Sequence, residues 1–383
     1  MIIISFTNRE ISVVRKFLVV VSAVLLFSCG SKSINENEVQ GSDSVFSLQS
    51  SDSSNAKSYT EIDSSVLVFF NDPEKKFRED NIQKNFRIIV LSNLAEYILN
   101  FYFNGHIPEK KAEEYLDKIV TISLSDNVKP NYENGWEKKQ LKEDGLFLGH
   151  FNIILGIYKS VSGSDKHKNL NLKISSHLKK MFADESTANI RSWNNSSLRF
   201  PADNAAVLFS LFLYDKNFSD SLSRKPMEAW LAFMMTKGTN EKYGLHFSEV
   251  SAASKTADLP RGCALSFTIC YMNSFAPKET KQLWERYKKE FLVEANGIAG
   301  FREWPKGIER KADADSGPIV FGIGTAASGF GLLAAKKMSD DTVYRKLKSS
   351  REISFLLVKE KIVNSILSKA ILLNAETFKS NPE

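Results

Sequence analysis

The sequence has few residues that could cross-link a fold or bind a metal. Its 383 residues include only three cysteines and five histidines. Cys263 and Cys270, seven positions apart on one predicted helix, would lie about 10 Å from each other along its axis, which is too far for a disulfide. The third cysteine, Cys29, precedes the folded region. The sequence therefore excludes a disulfide framework, and we predict neither a bound metal nor a cofactor.

Continuous strand patterns are also scarce. Residues 64–70 are the exception, and we expect a short extended segment there. Residues 322–327 (Gly-Ile-Gly-Thr-Ala-Ala) match the G-x-G-x-x-A turn of dinucleotide-binding folds. That turn needs a surrounding parallel sheet and an acid at the end of a second strand about 20 residues on. Because neither is apparent, we interpret these small residues as positions where helices approach closely.

The charge balance is mild, with a formal net charge of +6. Basic clusters such as Lys179-Lys180 and residues 345–348 stand next to apolar positions, as they do on the solvated faces of helices. We therefore expect no nucleic-acid partner.

The N-terminus carries an export pattern. Arg15 and Lys16 precede an apolar run, residues 17–27, that is too short to span a bilayer comfortably but suits the core of a signal peptide. With Leu-Phe-Ser-Cys at 26–29, the segment resembles a bacterial lipoprotein signal. The resemblance implies cleavage before Cys29, acylation of Cys29 by groups such as palmitate, and attachment to a membrane of the cell envelope. An ordinary cleaved signal or an uncleaved anchor is the alternative.

This pattern divides the chain into three parts. We predict a signal peptide at 1–28, a disordered tether at 29–65 and one folded domain at 66–383. The tether is rich in Ser, Asn, Asp and Glu and nearly lacks periodic apolar residues. Cleavage would remove three basic residues and one acidic residue, which lowers the net charge from +6 to +4.

Four later segments share one form, in which a small or charged residue opens a long apolar helix. The openings at Asp144, Asp203, Arg261 and Asp315 are 59, 58 and 54 residues apart. A fixed period of this length indicates a helical-repeat fold. Helix starts carry unpaired N–H groups and the positive end of the helix dipole, so starts that converge would define a shared pocket.

Amphipathic, charged helix patterns lie between these apolar helices, at 167–182, 222–237, 277–293 and 342–351. Extending the period backwards reaches an apolar helix at 86–103 with a charged partner at 108–121, and residues 353–373 could supply a sixth unit. Apolar helices are buried on every side, whereas amphipathic helices cover them. We therefore predict an all-α fold, an (α/α)5–6 toroid of helical hairpins.

Several motifs carry a family resemblance. They are residues 200–204 (Phe-Pro-Ala-Asp-Asn), 259–262 (Leu-Pro-Arg-Gly), 302–305 (Arg-Glu-Trp-Pro), 313–318 (Asp-Ala-Asp-Ser-Gly-Pro) and 322–327. Together they resemble a set of bacterial exported or membrane proteins with an (α/α)6 toroid. That set is similar in turn to the catalytic domain of linalool dehydratase-isomerase and, more remotely, to six-hairpin glycosidases.

The resemblance covers roughly residues 130–335. It implies a toroid pocket in which the acid/base, histidine and cysteine roles of the terpene enzyme have candidates in Asp203, His150 and Cys263. A shared fold does not fix a reaction.

Four acids are candidate catalytic residues: Glu303, Asp313, Asp315 and Asp203. Clustered carboxyl groups in different surroundings can divide acid and base roles. Asp203 and Asp315 also stand where helix N-caps are expected, so each has a structural alternative. The alternative for Glu303 is a buried pair with Arg261 or Arg302.

Candidate ligand-binding residues stand near the same helix starts, and each also has a plain structural alternative. Cys263 follows a helix start, which would favour its thiolate, although a small packing residue fits there equally. Trp304 would stack on a sugar or an isoprenoid. The candidate set is His150, Asn204, His246, Arg261, Cys263 and Trp304.

Two functions fit these features. The first is an acid/base enzyme, a hydrolase or lyase, that acts on a glycan or on a hydroxylated isoprenoid or lipid. The second is a noncatalytic envelope lipoprotein that binds a ligand or partner on the concave face of the toroid. In both cases we expect a lipid-anchored protein of the bacterial envelope, on the periplasmic or surface side of the outer membrane.

The lipoprotein assignment is tested by Cys29→Ser. Because Cys29 is the acylation site that the resemblance implies, the variant should no longer incorporate labelled fatty acid and should leave the detergent phase or accumulate as precursor. Metabolic labelling with phase separation measures both. Unchanged labelling and unchanged partition would show that Cys29 is not the anchor.

Overall fold

A computed structural model describes residues 60–130, 141–184, 186–194, 196–250, 259–295, 298–320, 322–358 and 365–379. Cys29, the predicted signal peptide and nearly all of the predicted tether lie outside the described residues. Every structural statement below concerns the described part of the chain. Within it, no helix is both long enough and apolar enough to cross a membrane.

Helices dominate the described chain. There are thirteen: α1 (Ser64–Asn71), α2 (Pro73–Glu79), α3 (Lys84–Phe103), α4 (Glu109–Ser123), α5 (Gly145–Ser162), α6 (Lys168–Ala183), α7 (Pro201–Phe218), α8 (Arg224–Met234), α9 (Gly262–Met272), α10 (Pro277–Phe291), α11 (Thr325–Lys337), α12 (Asp341–Val358) and α13 (Ile366–Thr377).

Six of these helices form a closed inner ring. Going round it, α3, α5, α7, α9, α11 and α13 each pack against the next, and α13 packs back against α3. The helices that follow the first five inner helices, α4, α6, α8, α10 and α12, pack outside them. This arrangement is an (α/α)6 toroid, so the predicted all-α fold class is confirmed and the number of inner helices is six.

The inner and outer helices differ as their sequences require. Helix α5 carries buried side chains around most of its circumference, from Gly145 to Val161. The outer helix α10 buries one stripe, which includes Leu283, Trp284 and Tyr287, and presents charged residues elsewhere. A helix enclosed by neighbours must be apolar all round, whereas a covering helix needs only one apolar face.

The extended conformation expected for residues 64–70 is wrong. This segment is helix α1, which Asp63 caps by accepting a hydrogen bond from the Ser65 amide at 2.9 Å. Val66 and Phe69 are buried, and α1 packs against α13. Because successive apolar residues fit either a buried strand or a short buried helix, the pattern alone could not separate the two.

The sixth unit is therefore built from both ends of the folded region. The expected helix at 353–373 is divided, because α12 extends to Val358 and the sixth inner helix α13 begins at Ile366. Ser365 caps α13 through the Ser368 amide. Asp63, which precedes α1, pairs with Lys369 of α13 at 2.8 Å.

A buried polar cluster joins three neighbouring inner helices where the ring closes. The Nζ of Lys337, at the end of α11, lies 2.7 Å from the Oε2 of Glu96 in α3. Asn374 of α13 donates to Glu96 and to Asn93 of α3, both at 3.2 Å. Removing one partner of such a buried pair leaves an uncompensated charge, so this cluster fixes α3, α11 and α13 together.

The described strands are short and form three antiparallel hairpins. They are β1 (Thr239–Asn240) with β2 (Leu245–His246), β3 (Leu292–Ala295) with β4 (Ile298–Phe301), and β5 (Ile319–Val320) with β6 (Ile323–Gly324). Gly322 lies in the turn of the third hairpin with a φ of 79°. The 322–327 motif thus joins a two-stranded antiparallel ribbon to α11, and no parallel sheet surrounds it in the described chain.

Small residues do allow close helix contacts. A Cβ at Gly149 of α5 would lie 2.6 Å from a side-chain atom of Val207 in α7, and one at Gly156 would lie 2.7 Å from Leu213. In α11, a Cβ at Gly331 would overlap the ring of Phe301, whereas one at Gly329 meets nothing within 4 Å.

The last two glycines provide a matched test of ring packing. Gly331→Ala should lower the free energy of unfolding by about 1–3 kcal/mol, since the added methyl forces the buried Phe301 ring to move. Gly329→Ala should instead raise it by up to about 1 kcal/mol through helix propensity. Urea titration followed by circular dichroism measures both, and equal effects at the two positions would contradict the packing described.

Candidate functional site

The N-terminal ends of all six inner helices surround one cavity of about 140 Å³. Each helix contributes a residue from its first turn: Phe86 of α3, Leu146 of α5, Asp203 of α7, Cys263 of α9, Ala326 of α11 and Leu367 of α13. An apolar cavity of about 150 Å³ can hold a benzene ring. The cavity is open at one side, so a ring bound there can belong to a longer molecule.

The predicted convergence of helix starts is therefore observed for three of the four openings, with changes in detail. Asp203, Arg261 and Asp315 line this cavity. Asp144 instead lines a neighbouring cavity, where it caps α5 by accepting from the Phe147 amide at 3.3 Å. Arg261 is the residue that precedes α9.

The N-cap interpretations of two acids are wrong. Helix α7 begins at Pro201 after Phe200, which places Asp203 at its third residue rather than at the cap. Helix α11 begins at Thr325, ten residues after Asp315, because strands β5 and β6 lie between them. Neither carboxyl group is held by a capping role at its helix start.

Asp203 is half-buried at the cavity wall. Burial, together with the negative charges of Asp315 and Asp144, raises its pKa to about 7, although a hydrogen bond with Ser192 opposes this shift. Asp203 therefore holds a proton up to neutral pH. A carboxyl group with a pKa near the working pH is suited to donate a proton and take it back.

Asp315 lies beside a cation at the cavity wall. Its side chain is 38% exposed, and its Oδ2 is 3.8 Å from the Nη1 of Arg261. Burial and the neighbouring Asp313 raise its pKa, whereas Arg261 lowers it. Since a guanidinium group stabilises the charged form of Asp315, Asp315 should lose its proton before Asp203 does.

Arg261 links the three acidic residues on this side of the cavity, Glu303, Asp313 and Asp315. Its guanidinium group donates from Nε to Glu303 at 2.8 Å and from Nη2 to Asp313 at 2.8 Å. Its side chain is only 11% exposed. The position of Asp315 therefore depends on a fork that is fixed by two other carboxylates.

Glu303 is fully buried behind this fork rather than at the cavity surface. It accepts hydrogen bonds from Arg261, from the Cys263 amide at 3.3 Å and from the Cys263 thiol at 3.0 Å. Burial raises the pKa of Glu303 even though Arg261 and Cys263 oppose it. The paired, buried clamp that the sequence offered as an alternative is the arrangement observed.

Cys263 lines the cavity but is not poised as a thiolate. Burial and the neighbouring Glu303 raise its pKa well above the usual value. This reverses the expectation from its place near a helix start, because burial and then the negative charge of Glu303 both disfavour the thiolate. Cys263 and Cys270 are both buried free thiols.

Asp313 and Trp304 shape the loop that carries Asp315. Asp313 accepts from the amides of Asp315 at 3.1 Å and Ser316 at 2.9 Å, so it fixes the local turn. Trp304 is buried, with the guanidinium groups of Arg261 and Arg310 over its ring at 4.8 Å and 5.0 Å from the centroid. Neither Asp313 nor Trp304 is among the described residues that line the cavity.

The remaining candidates lie away from the cavity wall. His150 is buried under Phe267, where its Nδ1 lies 2.7 Å from the Ser92 hydroxyl and burial lowers its pKa to about 3. His246 is buried in β2 against Trp230, and burial lowers its pKa to about 4. The Asn204 side chain accepts a hydrogen bond from the Ile190 amide and donates one to the Ile190 carbonyl group. Each of the three has a structural partner.

The sequence arguments overlooked the apolar lining. Phe200, Phe267, Phe330 and Trp193 join Phe86 around the cavity, and Ser248 adds a hydroxyl group. Phe267 and Phe330 each stand four residues after a first-turn lining residue, Cys263 and Ala326. Residues four positions apart share one face of a helix, so the i, i+4 spacing from each helix start points to them. The polar residues at the helix starts do not.

The arrangement combines a carboxyl group whose pKa is raised to about 7, a second one beside a guanidinium group, and a ring-sized apolar space. A proton donor and an acceptor that share a cavity can break a C–O bond by acid/base chemistry.

Two solved structures share this fold. An α-amylase from Clostridium perfringens has 12% sequence identity, covers 76% of this chain and 86% of its own, and gives a TM-score of 0.50. A family 76 glycoside hydrolase from a bovine Bacteroides thetaiotaomicron strain has 9% identity over 75% of this chain and 67% of its own, also with a TM-score of 0.50. At such identity the likeness shows the toroid fold alone. No protein-family model matches the sequence.

The ionisation of Asp203 predicts a pH-dependent effect of Asp203→Asn. Because the folded-state pKa of Asp203 is raised to about 7, its protonated form is favoured on folding, and this contribution is lost as pH rises from about 4 to about 7. Asparagine resembles the protonated acid at every pH. The variant should match wild type near pH 4 and be more stable at pH 8, by up to about 4 kcal/mol.

Thermal melts between pH 4 and pH 8 measure this difference. Asp184→Asn, on an exposed residue at the end of α6, is the control. Its stability relative to wild type should not change with pH in this way. A constant difference between Asp203→Asn and wild type across the range would mean that Asp203 ionises normally.

Proposed function

We propose that this protein is an acid/base hydrolase or lyase that breaks a C–O bond of a glycan or of a small hydroxylated molecule held in the toroid cavity. The observation that supports this most strongly is the placement of Asp203 and Asp315 in one cavity, where burial raises the pKa of both and the Arg261 guanidinium opposes the rise for Asp315. Separated pKa values of paired carboxyl groups mark the acid and the base.

In the proposed step Asp203 gives its proton to the oxygen that leaves as the C–O bond breaks. Asp315 takes a proton either from a water that attacks the carbon, which makes the reaction a hydrolysis, or from the adjacent carbon, which makes it an elimination. Each reaction ends with one proton given and one taken. Asp203 and Asp315 regain their starting states by exchanging a proton with solvent.

Arg261 acts as the positioning group in this proposal. Its charge lowers the pKa of Asp315 and so favours the ionised form beside Asp203, and Glu303 and Asp313 hold its planar fork in place. The first-turn positions of six helices add oriented N–H dipoles around the reacting oxygen, which favours the developing negative charge.

The substrate class rests on two supports. The fold is shared with an α-amylase and a family 76 glycoside hydrolase, which favours a glycan. The aromatic lining suits either the face of a sugar ring or an apolar alcohol. We further propose that the protein acts at the bacterial envelope, anchored to its membrane through acylated Cys29.

A noncatalytic binding protein is the second candidate. It is favoured by the neutralisation of Glu303 and Asp313 by Arg261, which leaves fewer free acids than the sequence suggested. The open cavity with its two remaining acids supports the enzyme more strongly.

Activity screening separates the two. Among glycosides and terpenoid alcohols, any substrate turned over by wild type should be turned over at least 100-fold more slowly by Asp203→Asn or Asp315→Asn, since general acid/base groups typically contribute about 10²–10⁴-fold. Asp184→Asn should behave as wild type.

Ligand binding by both variants should persist, because asparagine keeps the side-chain shape. Binding without turnover of any substrate by wild type would favour the noncatalytic function. Turnover that survives both substitutions would place the chemistry elsewhere.

A further inference from the structure

A second cavity of about 320 Å³ lies beside the first. Its lining is more polar than that of the first cavity: Lys84, Asn85, Asp144 and Asn194 stand there beside apolar side chains such as Phe147. Lys84 and Asp144 carry opposite charges, and the two amides offer donors and acceptors. Such a set suits a neutral group with many hydroxyls rather than a strongly charged one.

The two cavities share a wall. Leu146 and Trp193 line both of them. Trp193 is set edge-on to Phe200 of the first cavity, with ring centroids 5.4 Å apart. Its indole Nε1 is buried without a hydrogen-bond partner in the described chain. A buried indole N–H normally finds an acceptor, so an oxygen from a ligand that crosses this wall would satisfy it.

The proton donor adjoins the same wall. Ser192, the residue before Trp193, hydrogen-bonds the Asp203 carboxyl group, and the charge of Asp144 in the second cavity acts on Asp203. Asp203 is therefore close to the boundary between an apolar space and a polar one. A bond that joins an apolar part to a hydroxylated part would lie next to it.

We propose that the two cavities bind one two-part ligand, a glycoside whose apolar aglycone occupies the first cavity and whose sugar occupies the second. The oxygen that links the two parts then lies at the wall formed by Leu146 and Trp193, within reach of Asp203. This inference rests on the proposed function for its chemistry, but its binding pattern is independent of turnover.

Octyl β-D-glucoside, octanol and glucose test the inference as the whole ligand and its two halves. Calorimetry with Asp203→Asn, at glucoside concentrations below micelle formation, measures binding where the acid step is removed. The glucoside should bind at least tenfold more tightly than octanol or glucose. Once one part is bound, the covalent link makes binding of the other part intramolecular.

Two variants assign the halves to the cavities. Asn85→Ala with Asn194→Ala should weaken glucoside binding about tenfold, as expected for a few lost hydrogen bonds, and leave octanol binding unchanged. Ala264→Phe, which fills the first cavity, should weaken octanol and glucoside binding and leave glucose binding unchanged. Asn169→Ala, on an exposed position of α6, is the control.

The inference is overturned if none of the three probes binds at millimolar concentration, if octanol binds as tightly as the glucoside, or if the double variant weakens octanol equally. Release of glucose by wild type tests the proposed function separately. Tight binding of the glucoside without release of glucose would support the two-part binding site and contradict the proposed enzymatic function. Turnover of other substrates without two-part binding would support the enzymatic function and contradict the two-part site.

Discussion

The buried contact among Lys337, Glu96 and Asn374 is the constraint on which the site depends. It joins α11, α3 and α13 where the ring closes. With the ring closed, the first turns of six helices must face one space, and residues far apart in sequence become neighbours there. Asp203 and Asp315 interact because each belongs to a different unit of that ring. The chemistry of the cavity is thus a consequence of helix packing rather than of any local motif.

Part of this architecture could be predicted from the sequence. A period near 57 residues and the alternation of apolar with amphipathic helices gave the toroid, since burial imposes those patterns directly. Helix ends were less predictable. Residues 64–70 form a helix because they pack against α13, nearly 300 positions later, and the start of α11 is delayed by a hairpin whose turn is set by Gly322. The conformation of residues 64–70 and the start of α11 both depend on contacts with residues outside the short stretch of sequence from which a helix is predicted.

The candidate acids show the same division. Their clustering near one loop was visible, but which of them reach the cavity was not. Glu303 accepts from Arg261 across 42 residues and is buried by that pairing, whereas Asp315 stays at the surface of the cavity. Ionisation follows from such placements: burial raises the pKa of Asp203, and burial together with the negative charge of Glu303 raises that of Cys263. Residue type and spacing cannot supply those distances.

Closure of the ring also has a consequence for synthesis. The face of α3 that α13 covers is synthesised long before α13 itself. Until residues near 366 emerge from the ribosome, apolar positions of α3 have no permanent neighbour on that side, and Glu96 lacks both Lys337 and Asn374. Domains with such long-range contacts fold slowly and expose aggregation-prone hydrophobic surface until folding is complete. Helix α13 therefore completes the inner ring, and a truncation before it should leave an open arc of hairpins rather than a smaller ring.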